Sequence, residues 1–188
     1  ENLQREVRVR LQSDLLEGAT YFRGVERSAR MLGSTVDEVV HALLSNAVPE
    51  VFDKFALAAY PVKGGEAEAL LTSTNLSGLP AVVYESGGMG LVVRRGGRYE
   101  INLDAPAARE VMDFIQQRHA LGETVTGRAL EDHFTGGRYG WDLDIIMLIT
   151  AALFRGAAIE MTVQGQRVRT PSDPGALEPF TKVPHFRS

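Results

Sequence analysis

Apolar residues at Leu3, Val7, Leu11, Leu15 and Leu16 recur near the helical period, so residues 1–17 predict a helix that Gly18 breaks. Thr20–Arg23 and Ser28–Leu32 then flank Gly24-Val25-Glu26-Arg27 in the manner of a hairpin. Ser34 or Thr35 caps the next helix, and Asp37 and Glu38 stand in its first turn, where the helix dipole favours acids. Its apolar stripe is long: Val36, Val39, Val40, Leu43, Leu44, Ala47, Val48, Val51, Phe52 and Phe55. Proline suits a first turn and not an interior, so Pro49 predicts a kink or a restart.

Lys63-Gly64-Gly65 interrupts this pattern and Glu66–Ser73 reads as a short helix. Asn75–Tyr84 is ambiguous, a third helix interrupted by Pro80 being one reading. Leu91–Arg94 and Tyr99–Leu103 pair naturally across Arg95-Gly96-Gly97-Arg98. Asp104 is the expected cap of a helix with Pro106 in its first turn and Ala108, Val111, Phe114, Ile115 and Arg118 on one side. Beyond Gly122, Thr126 caps a short helix holding Ala129, Leu130 and Phe134, which the glycines at 136, 137 and 140 end. Asp142 caps Leu143–Phe154, Gly156 stops it, and Ala158–Val163 and Gln166–Arg169 form one more hairpin around Gly165.

Helices followed by a hairpin is an order that appears twice in full and once in part. Three helices closed by a two-stranded wing is the winged-helix arrangement. The expected fold is therefore α+β and predominantly helical, with tandem winged-helix-like units. The divisions expected are 1–33, a helix and hairpin remnant of a preceding unit; 34–103, a first unit; 104–170, a second; and 171–188, an extended tail over the surface.

Composition changes this picture little and narrows the chemistry. The 188 residues are 44% hydrophobic and 23% charged, ordinary globular material with enough chain for a proper core. There are no cysteines, which rules out disulfides and thiolate metal sites and fits a reducing compartment. The net charge is −4, from 20 basic and 24 acidic side chains. It is spread evenly: residues 1–33 hold six basic and five acidic residues, 34–103 five and eight, and 104–170 seven and nine. A dedicated nucleic-acid binder usually carries a basic surplus, because affinity comes largely from neutralised phosphates. The longest apolar run, Ile145–Phe154, is half of what spans a bilayer, so no membrane partner is expected. The chain starts at Glu1 inside a charged helical pattern, without an initiator Met, and reads as a piece of a longer protein.

No catalytic or nucleotide-binding signature stands out. The chain has no Gly-Lys dipeptide and hence no phosphate-cradling P-loop. Gly88-x-Gly90 starts a dinucleotide fingerprint that Val93 fails to complete. His41, His119, His133 and His185 show no i, i+4 pairing and no ligating neighbour, so no metal site is expected. Asp142 and Asp144, two apart on a helix, point to different faces and read as cap and dipole residues. No Gly-x-Ser-x-Gly elbow is present.

In winged-helix proteins the third helix commonly enters the major groove with polar side chains. Here only Thr150 is polar between Ile145 and Phe154, so the helix is expected to be buried all round, and its N-terminal end is acidic. The residues left for DNA or partner contact are Arg138 and Tyr139 on the preceding loop and Gln166, Arg167 and Arg169, with Gln164, on the wing.

A family resemblance rests on Tyr139-Gly140-Trp141-Asp142-Leu143-Asp144, continued in Ala151-Ala152-Leu153-Phe154-Arg155-Gly156-Ala157-Ala158-Ile159-Glu160. Further matching stretches are Tyr21-Phe22-Arg23-Gly24, Leu32-Gly33-Ser34-Thr35, Leu70-Leu71 with Asn75-Leu76-x-Gly78-Leu79, and Thr126-Gly127-x-x-Leu130-Glu131-x-x-Phe134. Asp173-Pro174, Phe180-Thr181 and Phe186-Arg187-Ser188 close the series. With these the chain resembles the BrxC/PglY family, the P-loop ATPases of BREX phage-resistance systems, in a region C-terminal to the P-loop domain. The resemblance implies a cytoplasmic bacterial or archaeal parent protein that binds ATP and Mg, whereas this region matches none of the nucleotide-binding residues and needs no cofactor. It implies other BREX components as partners. The expected role is a non-catalytic interaction and coupling region that docks partner subunits; the alternative is a DNA-binding module that contacts phosphates through its wings.

Overall fold

The computed structural model describes residues 2–188, and these fall into two compact units that divide between Asp53 and Lys54. Among the described residues no helix is long and apolar enough to cross a membrane.

The first unit holds α1 (Asn2–Glu17), a hairpin of β1 (Ala19–Phe22) and β2 (Val25–Ser28), and α2 (Val36–Val51). The hairpin turns at Arg23-Gly24, both at positive φ, with Phe22 opposite Val25, two residues earlier than the sequence pattern suggests. Thr35 caps α2 in a complete capping box: its side chain accepts from the Glu38 N–H, and the Glu38 carboxylate accepts from the N–H of Thr35. The helix does not restart at Pro49. Proline forfeits one intrahelical bond, but Pro49 lies in the last turn, and the helix runs on to Val51. Burial in this unit is thin. Ala29 and Val39 are its fully buried apolar residues, whereas Leu3, Val7, Leu11 and Leu15 of α1 and Val40, Leu44, Val48 and Val51 of α2 are exposed.

In the second unit α3 (Glu66–Thr72) is followed by an irregular stretch with one short helical turn at Ala81–Val83, which is what Asn75–Tyr84 becomes. Then come a hairpin of β3 (Val92–Arg95) and β4 (Arg98–Ile101), α4 (Pro106–Ala120), α5 (Gly127–Phe134) and α6 (Leu143–Arg155). The hairpin of β5 (Met161–Val163) and β6 (Gln166–Val168) follows, and α7 (Glu178–Thr181) and α8 (Val183–Arg187) close the chain. Each hairpin is a separate antiparallel two-stranded sheet. The fold is α+β and mostly helical, as expected. Ala105 rather than Asp104 occupies the cap of α4; Asp104 instead accepts from Arg109 at 2.9 Å. The Thr126 and Asp142 caps form as the sequence suggests, accepting from the N–H groups of Ala129 and Asp144.

The core centres on α6. All ten residues from Ile145 to Phe154 are buried. Successive helical residues point 100° apart, so ten in a row are buried only when neighbours cover every direction. Four helices provide that cover: α4 and α5, and additionally α3 and α7.

This packing divides the chain differently from the sequence reading. The expected first unit, 34–103, is split, because α2 groups with α1 while α3 packs on α6. Nor is the tail extended over the surface: Ala176, Phe180 and Phe186 are buried in the same core, and α8 packs on α5. An aromatic placed every few residues among prolines reads as surface chain until the hole it fills is known. Gly127 marks that hole, since an added Cβ there would lie 1.8 Å from the Phe186 carbonyl oxygen.

Candidate functional site

The helix that reads bases in a winged-helix protein corresponds here to α6, and its surroundings set what the domain can do. At its N-terminus Asp142 and Asp144 stand beside Glu66 of α3. Burial, then the charges of Asp142 and Glu66, pushes the Asp144 carboxyl up from its ordinary value, even though it sits where a helix dipole favours an anion. An acidic, crowded end of this kind repels phosphate. At the other end Arg155 reaches back to α3. Its guanidinium donates to the carbonyls of Leu70 (2.7 Å), Leu71 (2.8 Å) and Ser73 (2.5 Å). These are orphan carbonyls of the last turn of α3, so one side chain both caps α3 and fastens it to α6.

The residues proposed for contact fall in two places. Arg167 and Arg169 lie on or just past β6 and are exposed, but both pair with Glu160. Arg167 grips it with two hydrogen bonds, one of 2.7 Å from Nε, and Arg169 approaches to 3.5 Å. The bonds from Arg167, with the charges of both arginines, hold the Glu160 carboxyl below its ordinary value. Gln164 in the turn donates to Glu178 at 3.2 Å, and Gln166 pairs with Val163 across the ladder. The wing therefore presents its cations already partly neutralised. Glu160 was legible in principle: Met161 faces Val168, so the next position outward sets Glu160 against Arg169.

Arg138 and Tyr139 sit on the loop between α5 and α6. The Tyr139 ring packs edge-on to Phe134 and Trp141, and Phe134 stacks on Trp141 at 5.1 Å. The Tyr139 hydroxyl donates to Glu110 at 2.7 Å, Lys54 Nζ pairs with the same carboxylate, and Trp141 Nε1 donates to the Lys54 carbonyl at 3.1 Å. Burial pushes Glu110 up, but the hydrogen bonds from Lys54 and Tyr139 and the charges of Lys54 and Arg138 outweigh it, so its carboxyl lies below the ordinary range. The Lys54–Glu110–Tyr139 network joins residues 56 and 29 apart in sequence, with no local signal to announce it. Tyr139 thus belongs largely to the fold, and Arg138 stands beside it with its backbone carbonyl accepting from the Lys54 N–H at 3.0 Å.

A groove of about 350 Å³ runs between the C-terminal end of α4, the start of α5, the wing and α8. Its lining combines apolar Ile115, Val125, Leu130 and Met161 with the polar side chains of His119, Glu123, Glu160, Arg167 and His185. Among the described residues no group of three or more His, Asp or Glu side chains could hold a metal ion.

From α4 through α5 and α6 to the β5–β6 wing, the second unit is a winged helix-turn-helix domain whose third helix has been sealed. Residues 96–186 match the family described as the BREX ATP-binding protein BrxC winged helix-turn-helix domain, and this segment is similar to the winged helix of that family. No curated protein and no solved structure matches the chain significantly.

Proposed function

We propose that this region is a non-catalytic docking and coupling part of a BREX ATPase, used to bind partner proteins of that system. The family match gives the domain a role in BREX, and its fold class is one that ordinarily carries no catalysis. One observation supports docking over base reading: α6, the helix that would enter a groove, is buried over ten consecutive residues and covered by helices of its own unit. Base-edge recognition needs polar side chains that reach out of such a helix. The exposed apolar residues of α1 and α2 supply a surface of the opposite kind, suited to protein partners. Affinity capture from cells that express the complete system tests the reading. Tagged parent protein with Leu44→Glu and Val48→Glu is expected to lose a BREX partner that the unaltered protein retains. Unchanged recovery of every component, after these changes and after deletion of residues 34–170, removes the proposal.

A further inference from the structure

The largest local surplus of positive charge lies outside the wing, on the β3–β4 hairpin. Arg94, Arg95 and Arg98 fall within five residues, in a unit that is otherwise slightly acidic. Arg95-Gly96-Gly97-Arg98 is a two-residue turn with both glycines at positive φ, so Arg95 and Arg98 stand directly opposite each other. Like charges in that relation oppose pairing of the strands. Glu100 offsets one of them, pairing with Arg95 at 3.1 Å; among the described residues Arg94 and Arg98 have no carboxylate partner. On the wing, by contrast, both arginines share an anion.

The base of the hairpin is anchored. Val92 is fully buried, the Asn102 amide donates to the Gly90 carbonyl at 3.0 Å, and Ile101 and Leu103 press against Gly156 at the end of α6. Arg94 lies over the Tyr99 ring at 6.0 Å, and Tyr99 leans on Tyr84 at 5.3 Å. Tyr84 is itself fixed, its hydroxyl donating to the Leu76 carbonyl and accepting from the Leu79 N–H. Paired residues share a face and successive ones alternate, so Arg94 stands with Tyr99 on one face of the ribbon and Arg95 with Arg98 on the other; the tip offers guanidinium groups on both faces and a stacking ring beside Arg94.

We infer that the tip of the β3–β4 hairpin, through Arg94, Arg95, Arg98 and Tyr99, contacts the phosphodiester backbone of nucleic acid without reading its sequence. This goes beyond the docking role and does not depend on it. The hairpin precedes the three helices, so it works although α6 is sealed. With Arg95 paired to Glu100, two uncompensated arginines release about two counterions, giving a slope of log affinity on log salt near −1.8 for duplex and about −1.4 for single strands. A rise from about 50 to 200 mM salt then weakens the hairpin's part of binding by roughly 7- to 12-fold.

The test is fluorescence anisotropy of the 188-residue chain with labelled 30-nucleotide single-stranded and duplex DNA over that salt range. Arg94→Ala/Arg95→Ala/Arg98→Ala is expected to lose about fivefold or more in affinity and to flatten the salt slope by about one unit or more. The variant removes a like-charge pair but also the exposed Arg95–Glu100 pair and the Arg94–Tyr99 contact, each a small effect, so its melting temperature should stay close to that of the unaltered chain and weaker binding does not report misfolding. Arg167→Ala/Arg169→Ala should bind within twofold of the unaltered chain. Tyr99→Ala that weakens single strands more than duplex identifies the single strand as the source of the phosphates, and equal loss on both identifies the duplex. No salt-dependent binding, binding that the wing variant abolishes while the hairpin variant keeps it, or displacement by polyglutamate as effective as by DNA overturns the inference.

Discussion

Replacing Arg155 by Met tests whether α3 is pinned to α6 by the guanidinium or merely rests there. Met keeps most of the apolar stem and removes only the charged head, so the three carbonyls of Leu70, Leu71 and Ser73 lose their donors together. The Arg155 guanidinium is partly buried, and that burial pulls it below the ordinary arginine range. A net hydrogen bond to a charged group contributes about 1.5–3 kcal/mol, and three from one head are not additive, so the expected loss is about 3–4 kcal/mol. In a chain of this size that lowers the melting temperature by roughly 8–12 °C. The assay is urea unfolding of the 188-residue chain followed by Trp141 fluorescence, because that indole lies in the same unit, fully buried. Arg155→Lys should recover part of the loss, since an ammonium supplies donors without the fork. A loss below about 1 kcal/mol at unchanged denaturant slope would mean that the carbonyls find water as readily as Arg155, and the account of how α6 is sealed would fall.

Gly127→Ala drives a Cβ into the Phe186 carbonyl, which is backbone and cannot step aside; a loss of about 3 kcal/mol and rapid proteolysis after Lys182 are expected. Thr126→Ala removes the α5 cap and should cost about 1 kcal/mol by thermal melt, with Thr126→Ser close to neutral. Glu110 and Glu131 lie below the ordinary glutamate value of 4.5, Glu131 through its hydrogen bonds from Arg187. Their folded pKa values are thus below the unfolded ones, and the unfolded chain takes up protons first as pH falls. Stability present above about pH 4.5 should be lost progressively below it, an effect that Glu110→Gln reduces in a pH series of melts.

What the sequence made legible is what short-range rules govern. The helices at 106–120, 127–134 and 143–155 follow from apolar spacing and from polar caps such as Thr126 and Asp142. Burial of Ile145–Phe154 follows from the lack of a polar face. The two hairpins of the second unit follow from Gly96-Gly97 and Gln164-Gly165, where the backbone must take positive φ. Long-range pairing was not legible. Leu70 and Arg155 are 85 residues apart, and nothing in either segment names the other as its partner. For the same reason the sequence pattern alone grouped α3 with α2, its neighbour along the chain, although α3 packs on α6. The candidate contacts rest on the polar and basic side chains of one loop and one hairpin, a choice that finds Arg167 and Arg169 but not the Glu160 they share.

The sealing helix lies outside the segment that defines the family's winged helix, and this has a consequence. Residues 96–186 contain α4 to α8 but lack α3 and the buried Val82, Val83, Met89, Leu91 and Val92. Without α3, the sides of α6 that Leu70 and Leu71 cover face water, and Arg155 loses its three acceptors. Burial of each large aliphatic side chain contributes about 1.5–3 kcal/mol, so the missing residues together remove as much as the 5–15 kcal/mol that holds a typical domain. A protein cut to 96–186 is therefore expected to aggregate or to bind a hydrophobic dye without a cooperative melt, while 54–188 melts in one sharp transition. A cooperative, monomeric 96–186 fragment would show that α6 tolerates an open face. It would then be free to meet a partner or a groove, and α3 would have to be read as a removable cover instead of part of the core.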